Sequence, residues 1–273
     1  MKLDLLFIVA HPDDVELAAS GTILKSKAEG KTVGVLDLTK GELGTRGTVE
    51  TRKAEATEAS KILGLDVRDN LGIRDGFFRN DEEHQLLVIA AIRKYQPEIV
   101  ITNAYYDRHP DHGRACDLVT DACFLSGLSK IETFENSVSQ KAWRPNLLLH
   151  IIQDTFIKPD IVIDISEYMD QKIAAIRAYK TQFYVAGVEL NENIYLLDAT
   201  SKYSQINVLP TRTLNGSGRL IKLDGSVTEV LLYPKNFSRL NSIINADIAS
   251  NGTITGQYKS NATDYIAYTF RNN

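Results

Sequence analysis

Short apolar runs alternate with longer amphipathic stretches from the N-terminus to about residue 184. This alternation is typical of βαβ units, in which parallel strands are joined by helices that pack on the faces of the sheet. We therefore predict an α/β domain of three layers with a Rossmann-like, mainly parallel sheet. The predicted strands are residues 5–10, 32–39, 98–102, 147–152 and 161–165, and the predicted helices are residues 15–29, 48–63, 82–95, 112–125 and 166–180.

The character of the chain changes near residue 185. Beyond this point the strand-like runs are short, and they are separated by turns that contain glycine, such as those at residues 215–218 and 224–225. This pattern predicts a small β-rich segment over residues 185–273. All five histidines and both cysteines precede that segment, so we expect metal and imidazole chemistry in residues 1–184.

Charge and composition argue against several classes of partner. The chain has 31 Lys and Arg against 35 Asp and Glu, and it has no basic run that would follow a phosphate backbone, so we expect no nucleic-acid partner. The first apolar run is too short for a membrane helix and lacks the cleavage site of a signal peptide. Cys116 and Cys123 fit the buried face of one helix. These features predict a cytoplasmic protein without a membrane partner.

Two polar clusters follow two of the predicted strands. His11-Pro12-Asp13-Asp14 comes directly after the first strand, and His109-Pro110-Asp111-His112 follows the strand at 98–102 after a short loop. Ligand sites in open α/β sheets form at the carboxyl ends of strands, so the two clusters can converge on one crevice. Either cluster alone is more often a turn or a helix cap, and their joint occurrence favours a functional site.

The residue types in these clusters suit a hydrolytic metal site. Two imidazoles and one carboxylate, with one position left for water, are a usual ligand set for catalytic zinc. A metal held in this way polarises an amide carbonyl and makes a water molecule more acidic. Because Asp13 and Asp14 are adjacent, one carboxylate can bind the metal while the other takes a proton from the water.

The combination of motifs resembles the LmbE-like (PIG-L) N-deacetylases. Within that family it is most similar to the bacillithiol-biosynthesis enzymes that deacetylate N-acetylglucosaminyl-malate. The resemblance runs from residue 1 to about residue 184. Besides the two histidine clusters it rests on Gly41-Glu42-Leu43-Gly44-Thr45-Arg46-Gly47, Arg52, Asp107-Arg108, residues 158–166 and residues 179–184.

The resemblance implies roles for the residues of the two clusters. It implies a zinc ion on His11, Asp14 and His112, with Asp13 as the general base. Iron or manganese would fit the same ligands. His109 would lie beside the metal, where it could stabilise the oxyanion or protonate the leaving amine.

The resemblance also implies substrate-binding residues. Arg52 matches the substrate-binding arginine of the family and suits a bidentate hold on a carboxylate such as that of malate, although a solvated charge on a helix is the alternative. Apart from the resemblance, Glu42 and Arg46 are predicted to line the substrate pocket because they lie on the glycine-rich loop, and Arg108 in the second motif is predicted to bind substrate as well. Asp111 is expected to orient an imidazole.

The tail resembles the C-terminal end of bacterial transglutaminase-like proteins, over residues 185–200, 209–210 and 214–221. In that family an aspartate in the matching Leu-Asp-Ala-Thr stretch orients the histidine of a Cys-His-Asp triad, and Asp198 occupies this position. The tail has neither cysteine nor histidine, so Asp198 has no triad partner nearby in the sequence. The chain therefore resembles two family fragments joined near residue 185.

Three hypotheses for function follow. The first is zinc-dependent hydrolysis of the N-acetyl group of an N-acetylglucosaminide, with a small-molecule amino sugar as partner and a homo-oligomer allowed by the resemblance. The second is a non-catalytic metal-binding protein, or a chimeric fusion whose substrate pocket is incomplete. In the third, the tail is the functional part and binds protein or sugar. We expect the two remaining histidines, His84 and His150, to be a surface residue and a structural residue.

Overall fold

The computed structural model describes residues 1–182 without a gap and, beyond them, residues 186–190, 193–197, 217–221, 227–231, 239–248, 250–251 and 253–263. The chain divides into two compact units, Met1–Phe183 and Tyr184–Asn273. No helix in the part of the chain that the structure describes is long and apolar enough to cross a membrane.

The first unit alternates strands and helices along most of its length. In chain order its elements are β1 Leu5–Val9, α1 Asp14–Ala18, α2 Ser20–Ala28, β2 Val33–Thr39, α3 Val49–Leu63, β3 Val67–Ile73, α4 Glu82–Tyr95, β4 Ile99–Asn103, α5 Pro110–Leu125, β5 Phe134–Glu135, β6 Val138–Ser139, β7 Leu147–Ile151, a 3₁₀ helix Ser166–Tyr168 and α6 Met169–Arg177.

Five strands form one parallel sheet in the order β3-β2-β1-β4-β7, which confirms the predicted α/β fold. From β1 the chain moves outward through β2 to β3, and it then crosses to β4 on the other side of β1. The strand order therefore reverses between β1 and β4, and such a reversal leaves a crevice at the carboxyl ends of the two strands.

Strand β1 lies at the centre of two hydrophobic cores. Leu6 and Ile8 pack on one face of the sheet with residues of α4 and α5, whereas Phe7 and Val9 pack on the other face with residues of α1, α2 and α6. Side chains alternate between the two faces of a strand, so a strand buried on both faces needs apolar residues at most of its positions. This requirement explains the unbroken apolar run that precedes His11.

The predicted strand at 161–165 is wrong, because these residues form no strand and pair with none of the described strands. Ile161 and Val162 are 59% and 81% exposed. Ile165 instead packs so closely on Gly21 of α2 that a Cβ at Gly21 would clash with it. The fifth strand is β3, which the apolar pattern did not indicate.

The predicted helix at 15–29 is interrupted. Ala19 has φ −129° and ψ 2° and separates α1 from α2. Side-chain donors take two of the carbonyls at the break: Lys172 Nζ donates to Leu17 O at 2.6 Å, and Ser20 Oγ donates to Glu16 O at 2.6 Å. Such bonds satisfy carbonyls that would otherwise accept from the next turn of a continuous helix.

The second unit contains the β-structure that the sequence predicts for it. Its strands are β8 Ala186–Leu190, β9 Asn193–Leu197, β10 Ser217–Ile221, β11 Val227–Leu231, β12 Leu240–Ile248 and β13 Ile254–Ala262. Four of them form a sheet in the order β11-β10-β8-β9, and β12 pairs with β13 in an antiparallel hairpin. Asp198 and the turns at 215–216 and 224–225 lie outside the described residues.

Candidate metal centre and active site

The two histidine clusters meet at the crevice between β1 and β4. The two strands are parallel neighbours, so their carboxyl ends lie side by side. Asn103, the last residue of β4, accepts a hydrogen bond from the backbone N–H of Ala10 through Oδ1 at 2.9 Å. This bond fixes the end of β4 against the start of the His11 segment.

Three imidazoles lie together in this crevice. The ring centroid of His11 is 4.7 Å from that of His109 and 5.6 Å from that of His112, and the rings of His109 and His112 are 5.0 Å apart. His11 and His112 are each 8% exposed, whereas His109 is half-buried. One potential ligand nitrogen from each of the three rings lies within 4.8 Å of the others.

Asp14 lies between His11 and His112. Its Oδ1 is 3.1 Å from His112 Nε2, and its Oδ2 is 3.7 Å from His11 Nδ1. The amides of Asn103 and Gln153 donate to the same carboxylate at 3.2 and 3.0 Å. Burial raises the pKa of Asp14, but the contacts with both imidazoles outweigh it and hold the pKa well below its usual range. Asp14 is therefore ionised and close to both imidazoles.

Carboxylates on the far side of each ring indicate which nitrogen faces Asp14. His11 Nε2 lies 3.0 Å from Asp75 Oδ1, and His112 Nδ1 lies 2.9 Å from Asp107 Oδ1. Histidines that bind metals usually direct their second nitrogen to a carboxylate in this way. The nitrogens that remain, His11 Nδ1 and His112 Nε2, are those nearest to Asp14.

The donor set and its charge fit a divalent cation. Burial lowers the pKa of His11, but contacts with Asp111, Asp14 and Asp75 outweigh it and raise the pKa to about 12. The surroundings of His11 therefore favour a positive charge, whether a proton or a metal ion. Two imidazoles with one carboxylate suit zinc, and they also accept iron or manganese. His109 is near enough to be an alternative ligand.

Asp13 has a strained backbone next to this centre. Its φ of 116° with ψ of −22° lies in a region that residues with a side chain rarely adopt, and such strain is often found at active sites. Burial and the neighbouring Asp14 raise the pKa of Asp13 to about 7, against the opposing effect of Arg52. A carboxyl group with that pKa can accept a proton near neutral pH.

Arg52 lies inside the protein rather than on the surface of α3. It is 6% exposed, and its Nη2 is 3.2 Å from Asp13 Oδ2. Nη1 donates to Gly41 O at 3.2 Å and Nη2 donates to Pro12 O at 2.5 Å. The alternative of a solvated helix charge is therefore wrong. The guanidinium instead orients Asp13, and its contact with a substrate carboxylate stays a prediction.

The other predicted substrate residues occupy different surroundings. Glu42 is exposed, and its Oε1 accepts from the backbone N–H of Asp75 at 2.8 Å. Arg46 is half-buried on the glycine-rich loop, and Arg108 Nε lies 3.4 Å from Asp154 at the surface. Substrate binding by these three side chains remains a prediction.

His109 and Asp111 are joined by a hydrogen bond at the start of α5. His109 Nδ1 accepts from the backbone N–H of Asp111 at 3.2 Å, so a neutral His109 carries its proton on Nε2. Burial and the neighbouring His11 and His112 lower the pKa of His109. Asp111 Oδ2 lies 3.4 Å from His11 Nε2, which agrees with its expected role of orienting an imidazole.

The two histidines outside the clusters make other contacts. His84 Nδ1 lies 2.6 Å from Asp81 at the start of α4, and His150 Nδ1 lies 3.0 Å from Asn103 O and 3.5 Å from Cys116 Sγ. Both cysteines are free and buried.

Sequence reasoning missed three polar residues of this centre: Asp75, Asn103 and Gln153. Each lies at or just after the carboxyl end of a strand, namely β3, β4 and β7. The strand-end rule that selected the histidine clusters also applies to these positions. Asp75 escaped notice because β3 itself was not predicted.

Comparisons with known proteins relate the chain to a family of deacetylases. Residues 6–123 match the family described as PIG-L, GlcNAc-PI de-N-acetylase. Over 188 residues the chain is 31% identical to the diacetylchitobiose deacetylase of Thermococcus kodakarensis, and the match covers 65% of this chain and 69% of that protein. Over 213 residues it is 29% identical to a probable N-acetyl-alpha-D-glucosaminyl L-malate deacetylase 2 of Bacillus subtilis, with 71% and 90% covered.

A solved structure has a similar fold and sequence. The conserved protein TT1542 from Thermus thermophilus superposes with a TM-score of 0.62 at 41% sequence identity, over 66% of this chain and 80% of that one. The family match and these relatives are consistent with the parallel sheet and with the histidine clusters where its strand order reverses. The chain therefore belongs to the PIG-L family of N-deacetylases.

Proposed function

We propose that this protein is a zinc-dependent hydrolase that removes the acetyl group from an N-acetylglucosaminide of the N-acetylglucosaminyl-malate type. The products are acetate and a free amine. The observation that carries the proposal is the arrangement of His11, Asp14 and His112, in which a buried carboxylate lies near one nitrogen of each imidazole while other carboxylates lie near the second nitrogens.

In the proposed site His11 Nδ1, His112 Nε2 and a carboxylate oxygen of Asp14 hold the metal. A metal bound there would polarise the amide carbonyl and make a water molecule more acidic. Asn103 and Gln153 keep the Asp14 carboxylate in place through their amide groups. Zinc is preferred for this mixed set of ligands, and iron or manganese are the alternatives.

Asp13 and His109 divide the proton transfers in this proposal. Asp13 takes a proton from the attacking water, and Arg52 keeps its carboxylate directed into the crevice. His109 Nε2 donates a hydrogen bond to the carbonyl oxygen as negative charge develops on it or, in the imidazolium form, passes a proton to the nitrogen as the C–N bond breaks and becomes neutral. Water adds across the amide, so acetate and amine are the balanced products.

We further propose that residues 1–184 are the deacetylase domain and that residues 185–273 form a separate β-rich segment. The change in the character of the sequence and the division of the chain into two units support this boundary. The resemblance of the tail to transglutaminase-like proteins remains a prediction. A small-molecule amino sugar is the proposed partner.

Acetate release tests the proposal. Purified protein freed of metal and then loaded with one equivalent of zinc should release acetate from N-acetylglucosaminyl-malate, and N,N'-diacetylchitobiose serves as the competing substrate. Asp13→Asn should bind zinc normally but turn over at least about a hundredfold more slowly. His11→Ala and Asp14→Ala should lose zinc, and His84→Ala is the matched control that should keep zinc and rate.

Three outcomes would contradict parts of this proposal. Stoichiometric zinc with no acetate release from either substrate would identify a metal-binding protein whose pocket is incomplete. Release from diacetylchitobiose alone would keep the deacetylase chemistry and exclude the malate-bearing substrate. Zinc retention by both His11→Ala and Asp14→Ala would refute the proposed ligand set.

A further inference from the structure

A buried carboxylate outside both sequence motifs joins the metal centre to the glycine-rich loop. Asp75 follows β3 by two residues, is 5% exposed and directs Oδ1 to His11 Nε2 at 3.0 Å. We propose that Asp75 is a positioning residue that makes His11 coordinate through Nδ1 and links metal binding to the order of the loop at 41–47. The proposal rests on the proposed function only in taking His11 as a metal ligand.

The first step concerns the choice of nitrogen. An ionised carboxylate only accepts hydrogen bonds, so the nitrogen that faces it must carry a proton. A neutral His11 beside Asp75 therefore has N–H at Nε2 and a lone pair at Nδ1, which lies 3.7 Å from Asp14 Oδ2. Asp111 Oδ2, 3.4 Å from the same Nε2, acts in the same direction at a longer distance. Asp75 thus has the closer contact.

The second step concerns the loop. The other carboxylate oxygen of Asp75, Oδ2, accepts from the backbone N–H of Leu43 at 3.0 Å. In return, Glu42 Oε1 accepts from the backbone N–H of Asp75 at 2.8 Å. Two neighbouring loop residues therefore hold Asp75 by one bond in each direction. Its carboxylate contacts His11 and the loop at the same time.

The third step concerns the general base. The same loop contacts Arg52 through Gly41 O at 3.2 Å, and Arg52 contacts Asp13 at 3.2 Å. One loop thus reaches a metal ligand through Asp75 and the base through Arg52. When a metal fixes His11, the bonds through Asp75 should hold the loop more firmly. By reciprocity, an ordered loop should strengthen metal binding.

Asp75→Asn separates the two contacts of this side chain. The amide oxygen can still accept from Leu43, whereas the amide N–H₂ faces His11 Nε2, where a donor meets a donor. This pairing favours a proton on Nδ1, which competes with the metal. We expect the zinc dissociation constant, measured by competition with a chromogenic chelator, to rise about 10- to 100-fold, the usual effect of losing a partner behind a metal ligand.

Hydrogen exchange over residues 41–47 tests the link between metal binding and the loop, first in the native protein and then in two variants. In the native protein, zinc should slow exchange at this loop. In zinc-saturated Asp75→Asn, the slowing should be largely lost. Asp69→Asn is the matched control, because it makes the same substitution at a carboxylate that accepts from Tyr95 instead of contacting the metal centre. It should match the native protein in both measurements.

Cobalt distinguishes a positioning residue from a ligand. If Asp75 acts only through His11, cobalt-saturated Asp75→Asn should have the visible spectrum of the native protein, and a changed spectrum would overturn the proposal. Zinc affinity within twofold of native, or exchange at 41–47 that ignores zinc in the native protein, would also overturn it. Native protein that binds no zinc would instead refute the proposed function.

Discussion

The strained backbone at Asp13 predicts that glycine is more stable than alanine at this position, the reverse of the usual order. Asp13→Gly and Asp13→Ala both remove the carboxylate, so both lose the contact with Arg52 and both end the repulsion from Asp14. The two variants differ only in a Cβ at a residue with φ 116°. Comparing them therefore isolates the cost of a side chain in this conformation.

The magnitude follows from two opposing effects. At an ordinary position alanine is more stable than glycine by about 0.4–1 kcal/mol, because glycine has more freedom in the unfolded chain. At a sparsely populated backbone conformation a side chain costs roughly 1–3 kcal/mol. The backbone strain of alanine outweighs its advantage in the entropy of the unfolded chain, so Asp13→Gly should be more stable than Asp13→Ala by about 1–2 kcal/mol. For a domain of this size that corresponds to roughly 2–8 °C in Tm.

Trp143 provides an assay for the first unit alone. It is the only tryptophan, and its Nε1 donates to Pro97 O at 2.8 Å. Thermal unfolding followed by its fluorescence therefore reports on the domain that contains Asp13. Glu58→Gly and Glu58→Ala, on the exposed face of α3, are the control pair, and there alanine should be more stable by about 1 kcal/mol. If Asp13→Ala were as stable as Asp13→Gly, or more stable, the argument from backbone strain would be refuted.

Three further predictions concern the chemistry. His112→Ala should lower zinc content and acetate release together, whereas His109→Ala should keep zinc nearly stoichiometric and lower turnover by roughly a hundredfold or more. Metal analysis beside the acetate assay distinguishes the two results. Loss of zinc in His109→Ala with zinc retained in His112→Ala would make His109 the ligand. The pKa of Asp13 is raised to about 7, so the general base becomes protonated, and inactive, in acid. We therefore expect kcat/KM to fall as the pH drops through about 7, or through a lower pH if a bound metal stabilises the Asp13 carboxylate. A pH profile that is flat from about pH 5 to 8 would exclude Asp13 as the base. Arg52→Lys replaces the two guanidinium nitrogens that contact Gly41 O, Pro12 O and Asp13 with a single ammonium nitrogen, and it should lower kcat by about tenfold with zinc unchanged. A rise in KM alone for a malate-bearing substrate would instead indicate that Arg52 contacts the substrate carboxylate.

Most of the parallel sheet could be predicted because its central strands are buried on both faces. Such strands are apolar at most positions, and β1 and β2 are fully buried, with the single charge of β2, Asp37, paired to Arg68. The edge strand β3 escaped because most of its residues are only half-buried, and its sequence Val-Arg-Asp-Asn-Leu-Gly-Ile has no apolar run. The run at 161–165 has the expected composition but pairs with none of the described strands.

Arg52 shows a different limit of sequence reasoning. Its position in the motif indicated that it mattered, but the motif says nothing about which way the side chain points. In the structure its guanidinium is taken up by Gly41 O, Pro12 O and Asp13. Those partners lie 11 to 40 residues away in the chain, so only the position of Arg52 beside the loops that follow β1 and β2 brings them together.

The proposed metal ligands could be found from sequence, whereas the groups that hold them could not, for one physical reason. His11, Asp14 and His112 lie within two short motifs, so their residue types and spacing are visible together. The orienting groups Asp75 and Gln153 each come from a different strand end, 64 and 139 residues away from the side chains they contact. A parallel sheet brings all of its carboxyl ends to one edge, so once the strands are known, every polar residue just beyond them becomes a candidate. For Asp75 the missing information was the identity of β3, and a correct assignment of that edge strand would have indicated Asp75 by the same rule that indicated His11. Gln153 follows a strand that was predicted, but a lone amide side chain there gave no metal-ligand signal.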